Sequence, residues 1–283
     1  MTKRTADTLL EDVLTAYDKI ADERKKELLQ AAVKHLFAFV REVDLSRDEW
    51  ISGIELLTAI GHTCTDERQE FILLSDLLGV SSLVELQTRQ AQGAETPGSV
   101  VGPFHLDNSP FIPLGGTIDL DRVPGGESVY VSGRVIGIDG EPIADALLDL
   151  WQTAPNMLYA LQDENQSEHN LRGKQKTDSE GRFAFITAKP VPYSVPTDGP
   201  CGEILNISNR HGMRVAHIHV GIEADGYKQL ITEIFVADDP NLDSDTVFGA
   251  RPELLMEYRK NSDPNLDVDL VANYEFVLRR SEN

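Results

Sequence analysis

The sequence of 283 residues predicts an α+β chain in two parts, a helical N-terminal part followed by an antiparallel β-sandwich. Through the N-terminal third, hydrophobic residues recur every three or four positions, which is the spacing of one face of a helix. From residue 128 onward they alternate with polar residues in short runs bounded by Gly, Asp or Pro, as in strands. Residues 91–100, rich in Gly and small residues, separate the two patterns and are typical of a linker. We therefore predict one domain over residues 1–98 and a second over residues 99–283.

The helical prediction depends on three stretches of the N-terminal part. Residues 24–43 place Leu, Ala, Val and Phe on one face of a helix. Ser46 and Glu49 have the spacing of a capping box, which predicts the start of a second helix that ends at Gly61. Residues 66–78 form a third apolar stripe. These stripes predict a core or a helix–helix interface and not a cofactor site.

The strand prediction depends on alternation and on turn signals. Residues 128–137 alternate, Asp139 and Gly140 predict a turn, and residues 146–151 resume a strand. Because many short strands occur here without helices between them, they predict antiparallel pairing in a sandwich. Further strands of the same pattern are predicted at residues 181–187, 214–222, 228–236 and 273–280.

Composition argues against several classes of function. The formal net charge of −21 does not suit a nucleic-acid partner, because phosphate binding requires a basic surface. Cys64 and Cys201 are the only cysteines, so neither a disulfide framework nor a zinc finger is expected, which fits a reducing cytoplasm. The N-terminus has no apolar stretch typical of a signal peptide, and no apolar run reaches membrane-spanning length. We expect a cytoplasmic protein with neither a nucleic-acid partner nor a membrane partner.

A candidate half of a metal site lies in the predicted strand at residues 214–222. In an extended strand, His217 and His219 point to one face and Ile218 points to the other. Two imidazoles side by side on a rigid element can bind a metal ion. From this spacing alone, a pair of ordinary surface or core histidines is the simpler interpretation.

Two familiar ways to complete such a metal site, and one use of histidine without a metal, do not fit the sequence. His217, His219 and Glu223 have the spacing of a cupin metal motif, but no histidine follows His219 to serve as the fourth ligand. A two-histidine, one-carboxylate iron site usually contains His-x-Asp or His-x-Glu, whereas this chain has His-x-His. A serine hydrolase is also poorly supported, because the Gly-x-Ser-x-Gly elbow is absent.

Two tyrosines are further candidates for metal ligands. Tyr159 lies in the loop after the predicted strand at residues 146–151, and Tyr193 lies between prolines that restrict the backbone on both sides. Taken singly, each is most simply a packed tyrosine whose hydroxyl group has a hydrogen-bond partner. As phenolates they would suit a hard trivalent cation, because a bound cation can remove the phenolic proton. The residues alone leave both interpretations open.

Several separated motifs resemble one family. By their sequences and by their order along nearly the whole chain, these motifs resemble those of the intradiol ring-cleaving dioxygenases. Within that family they resemble the enzymes that act on hydroxyquinol (1,2,4-trihydroxybenzene) and on catechol. Motifs in the right order are far more specific than the histidine pair alone. The motifs are Glu70–Asp76, Val101–His105, Asn170–Gly173, Pro190–Tyr193, Asp198–Pro200, Arg214–His219 and Asp243–Gly249.

The resemblance implies a non-haem Fe(III) centre with Tyr159, Tyr193, His217 and His219 as the iron ligands. A small aromatic diol or triol and O2 would be the substrates, and the ring would open between adjacent hydroxyl groups. Both oxygen atoms would enter the product, which is 3-hydroxy-cis,cis-muconate or maleylacetate when the substrate is hydroxyquinol. Tyr193 would also be catalytic, because the corresponding tyrosine of the family leaves the iron on substrate binding and takes a diol proton.

Two further polar residues acquire roles through the resemblance. Arg214 matches the active-site arginine of the family, whose fixed guanidinium can stabilise negative charge that develops on the ring. Without the family context, a surface salt bridge would be the simpler interpretation of Arg214. Glu233 stands where many catechol-cleaving enzymes carry a glutamine, so the hydrogen bonding and charge beside the ligands would differ here.

The resemblance also implies a substrate pocket. Asp76 matters most, because a carboxylate in an apolar pocket could accept a hydrogen bond from a third ring hydroxyl. Without the resemblance, the simpler interpretation of Asp76 is a solvent-exposed acidic residue in a helix. Val101 replaces a larger apolar residue and would widen the pocket. Hydroxyquinol is therefore the preferred substrate, and catechol or a substituted catechol is the alternative. The implied lining residues are Leu73, Asp76, Val100, Val101, Gly102, Pro103, Phe104, Val195, Pro196, Glu233 and Val247.

The resemblance further implies a homodimer formed through the N-terminal helices, with a lipid-like molecule bound among them. The apolar stripe of residues 28–40 is compatible with this dimer and equally with an intramolecular core. A hypothesis from a different class is a β-sandwich binding module without catalytic chemistry, whose helices serve as an oligomerisation arm.

Overall fold

The computed structural model describes residues 5–65, 68–90, 95–102 and 104–281. By its internal contacts the chain divides into two units, Met1–Ala59 and Ile60–Asn283. The domain boundary that the sequence predicts between residues 98 and 99 stays a prediction. The start of the predicted linker, residues 91–94, lies outside the described residues.

Three helices are described up to residue 65. The capping box predicted at Ser46 and Glu49 is confirmed, because the backbone N of Ser46 donates to Glu49 Oε2 at 2.8 Å and the backbone N of Glu49 donates to Ser46 Oγ at 3.3 Å. This reciprocal cap satisfies two donors that the start of a helix leaves without partners. No helix in the described part of the chain is both long enough and apolar enough to cross a bilayer. The helices are α1 (Ala6–Tyr17), α2 (Glu23–Glu42) and α3 (Arg47–Thr63), and α3 runs across the division between the units.

Three further helices belong to the second unit, namely α4 (Glu70–Leu77), α5 (Val80–Gln90) and α6 (Pro200–Ile207). Helix α4 confirms the stripe predicted at residues 66–78 as far as that stripe is described. Helix α6 is not predicted by the sequence, because its eight residues make only about two turns and show no clear period. Its first turn begins with proline, whose missing N–H is no loss at that position.

Within the described residues of the second unit, the strands form two five-stranded sheets and one two-stranded sheet. In chain order, the strands among the described residues are β1 (Gly116–Thr117), β2 (Ser128–Gly137), β3 (Leu147–Trp151), β4 (Arg172–Lys176), β5 (Arg182–Ala188), β6 (Tyr193–Ser194), β7 (Met213–Arg214), β8 (His217–Glu223), β9 (Leu230–Val236), β10 (Leu255–Met256), β11 (Tyr258–Lys260) and β12 (Leu270–Leu278). One large sheet has the order β1-β5-β2-β12-β11, and the other has the order β10-β9-β8-β3-β4. Strands β6 and β7 pair with each other.

The prediction of purely antiparallel pairing is wrong, because the sheets are mixed. Strand β12 runs parallel to β2 from the pair Leu270–Val129 to the pair Leu278–Gly137. The pairs β1–β5 and β10–β9 are also parallel. Turn signals indicate how strands that follow each other in sequence are paired, and β12 reaches β2 from far along the chain. The direction of such a pair is decided by tertiary packing, which no local signal records.

The core of the second unit lies between the two large sheets. Val131 and Phe276 of one sheet and Leu148 and Ile218 of the other belong to a single cluster of buried side chains. Each fully buried aliphatic side chain of this kind contributes roughly 1.5–3 kcal/mol. Ile218 therefore anchors β8 in the core, and the alternation of the strand turns its neighbouring residues to the opposite face.

Candidate metal centre

Three neighbouring strands carry Trp151, His219 and Glu233 in one row. Trp151 on β3 pairs in register with His219 on β8, and His219 pairs with Glu233 on β9. Residues paired in this way point to the same face of a sheet. His217 precedes His219 by two positions and shares that face, as the sequence predicts. Strand register, and not closeness in sequence, brings Glu233 to the histidine pair.

The four predicted metal ligands are buried and lie together. His217 Nε2 and His219 Nε2 are 3.1 Å apart, and the hydroxyl oxygens of Tyr159 and Tyr193 are 3.4 Å apart. The ring centroid of Tyr193 lies 5.5 Å from that of His217, and the centroid of Tyr159 lies 6.5 Å from that of His219. No more than 4% of any of the four residues is exposed. The histidine pair and the tyrosine pair therefore share one site.

The donor atoms of this site suit a metal cation. His217 Nδ1 lies 2.6 Å from the carbonyl oxygen of Val215, which can only accept a hydrogen bond, so Nδ1 carries the ring proton and Nε2 presents a lone pair. His219 Nδ1 is buried and has no hydrogen-bond partner among the described residues. One ligand atom each from His217, His219 and Glu233 lies within 4.8 Å of the others. Nitrogen and oxygen lone pairs that converge in a buried space are what a cation would satisfy.

Burial sets the protonation of the four predicted ligands. It lowers the pKa of His217, against the opposing carboxylate of Glu233, and it lowers the pKa of His219 well below its usual range. Neutral imidazole is the form that binds metals. Burial also raises the pKa of Tyr159 and of Tyr193, so a cation bound beside them would be needed to remove their protons.

Arg214 bridges two buried carboxylates beside the histidines. Its Nη1 donates to Glu233 Oε1 at 2.7 Å, and its Nε donates to Asp245 Oδ1 at 3.1 Å. Glu233 Oε1 lies 3.2 Å from His217 Nε2, and Ser99 Oγ donates to Glu233 Oε2 at 2.5 Å. Burial lowers the pKa of Arg214, but the carboxylates of Asp245 and Glu233 outweigh burial and hold that pKa above its ordinary value. The guanidinium is therefore fixed and charged, and the interpretation as a surface salt bridge is wrong.

Aromatic packing holds the opposite side of the site. The ring of Phe104 stacks on Tyr159 with a centroid distance of 4.5 Å, and Trp151 stacks on His219 at 4.8 Å with 4° between the ring planes. The backbone at Gly102 passes over His219, because a Cβ added there would lie 3.2 Å from His219 Cε1. The φ of Gly102 is +71°, which glycine adopts far more readily than other residues. These contacts fix the orientation of the imidazole.

Asp76, on α4, is a buried carboxylate under the electrostatic influence of this site. It is 3% exposed, and its Oδ1 has no hydrogen-bond partner among the residues that the structure describes. Burial raises its pKa to about 6, against a hydrogen bond from Ser81 and the charge of Arg214, both of which lower it. The interpretation of Asp76 as a solvent-exposed acid is therefore wrong. A buried polar atom without a partner calls for an explanation, and a ligand hydroxyl provides one.

The other predicted lining residues differ in exposure. Val101 is 38% exposed and lines a cavity of about 160 Å³ together with His105 and Trp151. Pro103 lies outside the described residues. Whether the predicted residues line one substrate pocket stays a prediction. The buried members are Leu73, Val100, Phe104, Val195, Glu233 and Val247, and Pro196 is half-buried.

Four residues at this site are not singled out by the sequence. Arg172 and Asp245 lie in the motifs that carry the family resemblance, so that resemblance could have identified them. Trp151 ends a predicted strand, and Ser99 falls in the predicted linker; neither gives a functional signal there. The spacing of residues within one strand also gives no sign that Glu233 lies beside the histidine pair. The structure brings this carboxylate there from the neighbouring strand.

Comparisons with known proteins agree with this geometry. The family model described as Catechol dioxygenase N terminus matches residues 22–96, and the model described as Dioxygenase matches residues 101–280. Hydroxyquinol 1,2-dioxygenase of Rhodococcus opacus is 40% identical over 253 residues, which cover 88% of this chain and 83% of that protein. Catechol 1,2-dioxygenase of Candida albicans is 35% identical over 270 residues, which cover 95% and 88% of the two chains. The structure of hydroxyquinol 1,2-dioxygenase from Pseudomonas putida DLL-E4 matches with a TM-score of 0.87 and 42% identity, covering 98% of this chain and 99% of that one.

These matches extend over both parts of the chain and confirm the resemblance seen in the sequence motifs. They exclude the hypothesis of a sandwich module without catalytic chemistry, since the relatives are enzymes and the matches cover most of their length. The chain belongs to the intradiol ring-cleavage dioxygenases, oxidoreductases that open an aromatic ring with both atoms of O2.

Proposed function

We propose that this chain is a non-haem Fe(III) dioxygenase that cleaves hydroxyquinol between its adjacent hydroxyl groups to 3-hydroxy-cis,cis-muconate, a tautomer of maleylacetate. The observation that carries the choice of substrate is the buried carboxylate of Asp76, whose Oδ1 has no partner among the described residues. The similarity to the hydroxyquinol-cleaving proteins of R. opacus and P. putida supports the same choice.

In this proposal the metal ligands are Tyr159, Tyr193, His217 and His219. Two phenolates and two neutral imidazoles suit Fe(III), because the anionic oxygens offset much of its charge. When bound, Fe(III) would act as a Lewis acid on the diol and would draw electron density from the ring. Charge transfer from the tyrosinates should colour the iron-loaded protein wine-red, and Tyr159→Phe should remove part of that absorption band. A colourless protein with full iron loading would contradict this ligand set.

Tyr193 and Arg214 have separate roles in the proposed reaction. Burial raises the pKa of Tyr193, so its phenolate would take a proton from a diol hydroxyl and hold that proton firmly. Arg214 faces Tyr193 across the β6–β7 pair and presents a fixed positive charge to electron density that develops on the ring. Glu233 and Asp245 keep the guanidinium in place, so it does not have to reorganise during the reaction.

Asp76 would distinguish a triol from a diol. Above its pKa of about 6 the carboxylate is ionised and can accept a charge-assisted hydrogen bond from the third hydroxyl of hydroxyquinol. Catechol has no hydroxyl at that position and would leave Oδ1 of the buried carboxylate unpaired. A site built around such an acceptor discriminates strongly against an analogue that lacks the donor.

The test is O2 uptake with hydroxyquinol and catechol side by side, with the ring-opened product identified by mass spectrometry. Asp76→Asn should lower kcat/KM for hydroxyquinol by about 10- to 100-fold and change the value for catechol far less, because only the triol loses a charged hydrogen bond. Asp198→Asn removes one carboxylate that is 75% exposed and serves as the charge-matched control. A wild-type preference for catechol would favour the alternative, a catechol 1,2-dioxygenase. Extradiol cleavage, or no uptake with either substrate, would contradict the proposal.

We also propose that residues 1–98 form a dimerisation domain through which two copies associate, with a lipid-like molecule among the helices. An exposed apolar stripe on α2 supports this, since each of its five residues is at least 44% exposed and such stripes mark interaction sites. Leu36→Glu should convert a dimer to a monomer in sedimentation analysis, and native mass spectrometry should detect the lipid. A monomeric wild-type protein would contradict the dimer. The stripe consists of Leu28, Leu29, Leu36, Phe39 and Val40.

A further inference from the structure

Arg172, at the start of β4, is a buried charge without a hydrogen-bonded partner. It is 1% exposed, and neither its Nε nor either of its Nη atoms has a hydrogen-bond partner within the described part of the chain. A guanidinium carries five N–H donors and does not lose its charge in proteins. Burying such a group is strongly unfavourable unless a nearby charge or ring compensates it. The surroundings of Arg172 therefore need to contain that compensation.

The group in contact with Arg172 is one of the proposed metal ligands. Its Cζ lies over the ring of Tyr159, 5.8 Å from the ring centroid, which is within the range of a cation–π interaction. Burial lowers the pKa of Arg172, and negative charge on Tyr159 and then on Asp149 opposes that effect. Asp149 is already shared, because His105 Nε2 lies 3.1 Å and Lys174 Nζ lies 3.4 Å from its Oδ2. In the proposed metal centre Tyr159 would bind as a phenolate, and that phenolate is the anion that is left for Arg172.

The second buried arginine of the site has a different environment. Arg214 donates hydrogen bonds to the carboxylates of Glu233 and Asp245, so two negative charges already offset its own. Arg172 has no such carboxylate in hydrogen-bond contact among the described residues. Each of the two tyrosines therefore has its own arginine, since Tyr193 pairs in register with Arg214 and the guanidinium of Arg172 lies over the ring of Tyr159.

We propose that Arg172 is a positioning residue of the metal centre, whose guanidinium compensates the phenolate of Tyr159 and sets how strongly that oxygen donates electrons to the metal. This inference rests on the proposed function, since it requires a tyrosinate bound to a cation. A positive charge over the ring face stabilises the electrons of the phenolate and weakens their donation.

The test is the visible absorption spectrum of the iron-loaded, substrate-free protein, because the charge-transfer energy reports how tightly the phenolate holds its electrons. Arg172→Met should move the band to longer wavelength by about 20 nm, since the phenolate loses a unit positive charge roughly 6 Å away in a partly screened interior. Arg172→Lys keeps the charge and should restore at least half of the shift. Lys174→Met is the matched control, because it removes one positive charge from the same strand at a side chain that contacts Asp149 and not Tyr159.

A band that stays in place in Arg172→Met, or that moves equally in Arg172→Met and Arg172→Lys, would overturn the proposal. If Arg172→Met does not yield folded protein, Arg172→Gln decides the question, because it also removes the positive charge and keeps a polar head group. The band should again move to longer wavelength, and an unmoved band would overturn the proposal. A colourless wild-type protein with full iron loading would overturn the ligand set of the proposed function as well, which separates the two failures.

Discussion

Ion pairs occur both in the N-terminal helices and around the candidate metal centre, but the two groups differ in their exposure to water. In α2, Arg24 and Glu27 are 2.6 Å apart and their side chains are 69% and 67% exposed. At the metal centre, Arg214 and Glu233 are 2.7 Å apart and their side chains are 3% and 0% exposed. The distances are almost the same, so geometry alone does not distinguish the two pairs.

The comparison teaches that burial decides how much stability the protein loses when one partner of an ion pair is removed. Water screens the exposed pair, and both of its side chains lose rotamer freedom to form it, so little net stability remains. The buried pair has already lost its hydration, so removing one partner leaves the other charge in a medium that stabilises it poorly. Four predictions test this graded dependence on burial, from the largest expected effect to the smallest.

Arg214→Met should have the largest effect, because it leaves Glu233 and Asp245 buried without their cation. We expect a loss of about 3–5 kcal/mol in the free energy of unfolding, measured by urea denaturation at pH 7. Arg214→Lys is the companion variant, and it should lose less because it keeps the charge but not the forked geometry. A loss below about 1 kcal/mol in Arg214→Met would show that burial does not govern this pair.

Asp76→Asn should stabilise the protein at neutral pH, since Asp76 is buried with a carboxylate that no cation bonds directly among the described residues. Its pKa is raised to about 6 in the folded state, against about 3.9 in the unfolded chain. The folded state therefore keeps the proton of Asp76 to a higher pH than the unfolded chain does. The stability that comes from this difference in proton binding is fully present below pH 3.9 and is lost as the pH rises to about 6. A difference of two pKa units corresponds to roughly 3 kcal/mol, which is the most that Asp76→Asn could add to the free energy of unfolding at pH 7. The gain is smaller if the variant weakens the hydrogen bond from Ser81.

The measurement is urea denaturation of the wild type and Asp76→Asn at pH 4 and pH 7. The two proteins should differ little at pH 4, and the variant should gain stability relative to the wild type as the pH rises. A difference that is the same at both pH values would show that the pKa of Asp76 is not raised.

Glu70→Gln should have an intermediate effect, because Glu70 is buried but its partner Arg68 is 27% exposed. Glu70 Oε2 accepts from Arg68 Nε at 2.9 Å, and its Oε1 accepts from the backbone N of Cys201 at 3.2 Å. We expect a loss of about 1–2 kcal/mol by urea denaturation, since the amide keeps one acceptor and loses the charge. Asp198→Asn, at the 75% exposed partner of the same arginine, should change stability by less than about 0.5 kcal/mol. Equal losses of unfolding free energy in Glu70→Gln and Asp198→Asn would contradict the dependence on burial.

Arg24→Ala should have the smallest effect, since both side chains of its pair are exposed and lie three residues apart on one helix. The change in the free energy of unfolding should stay below about 0.5 kcal/mol, and 1 M salt should remove most of it by screening. A loss comparable with that of Glu70→Gln would mean that exposure does not control the strength of these pairs.

Much of the architecture could be predicted from local patterns. The helices at residues 24–43 and at Ser46 follow from apolar spacing and from a capping box, both of which involve neighbours in sequence. The direction of β12 beside β2 could not be predicted, because it depends on how distant segments pack. Helix α6 was missed because eight residues show too little of a helical period.

The candidate site divides in the same way. His217 and His219 stand out through their spacing, and the resemblance to the family points to Tyr159 and Tyr193 as the other ligands. Glu233 is named by the sequence as a departure from a family pattern, but its contact with His217 follows from the pairing of β8 with β9.

The sequence by itself determined that this chain has a helical part and a β part, and that His217 and His219 share a strand face opposite Ile218. Those properties follow from side-chain periodicity, which each segment carries along its own length. Only the tertiary structure decided that two carboxylates bind Arg214 and that Arg172 lies over Tyr159 without a hydrogen-bond partner among the described residues. It also decided that Asp76 is buried and that its pKa is raised to about 6. Burial and partners set these charges, and both depend on segments that are distant in sequence and meet only in the folded chain.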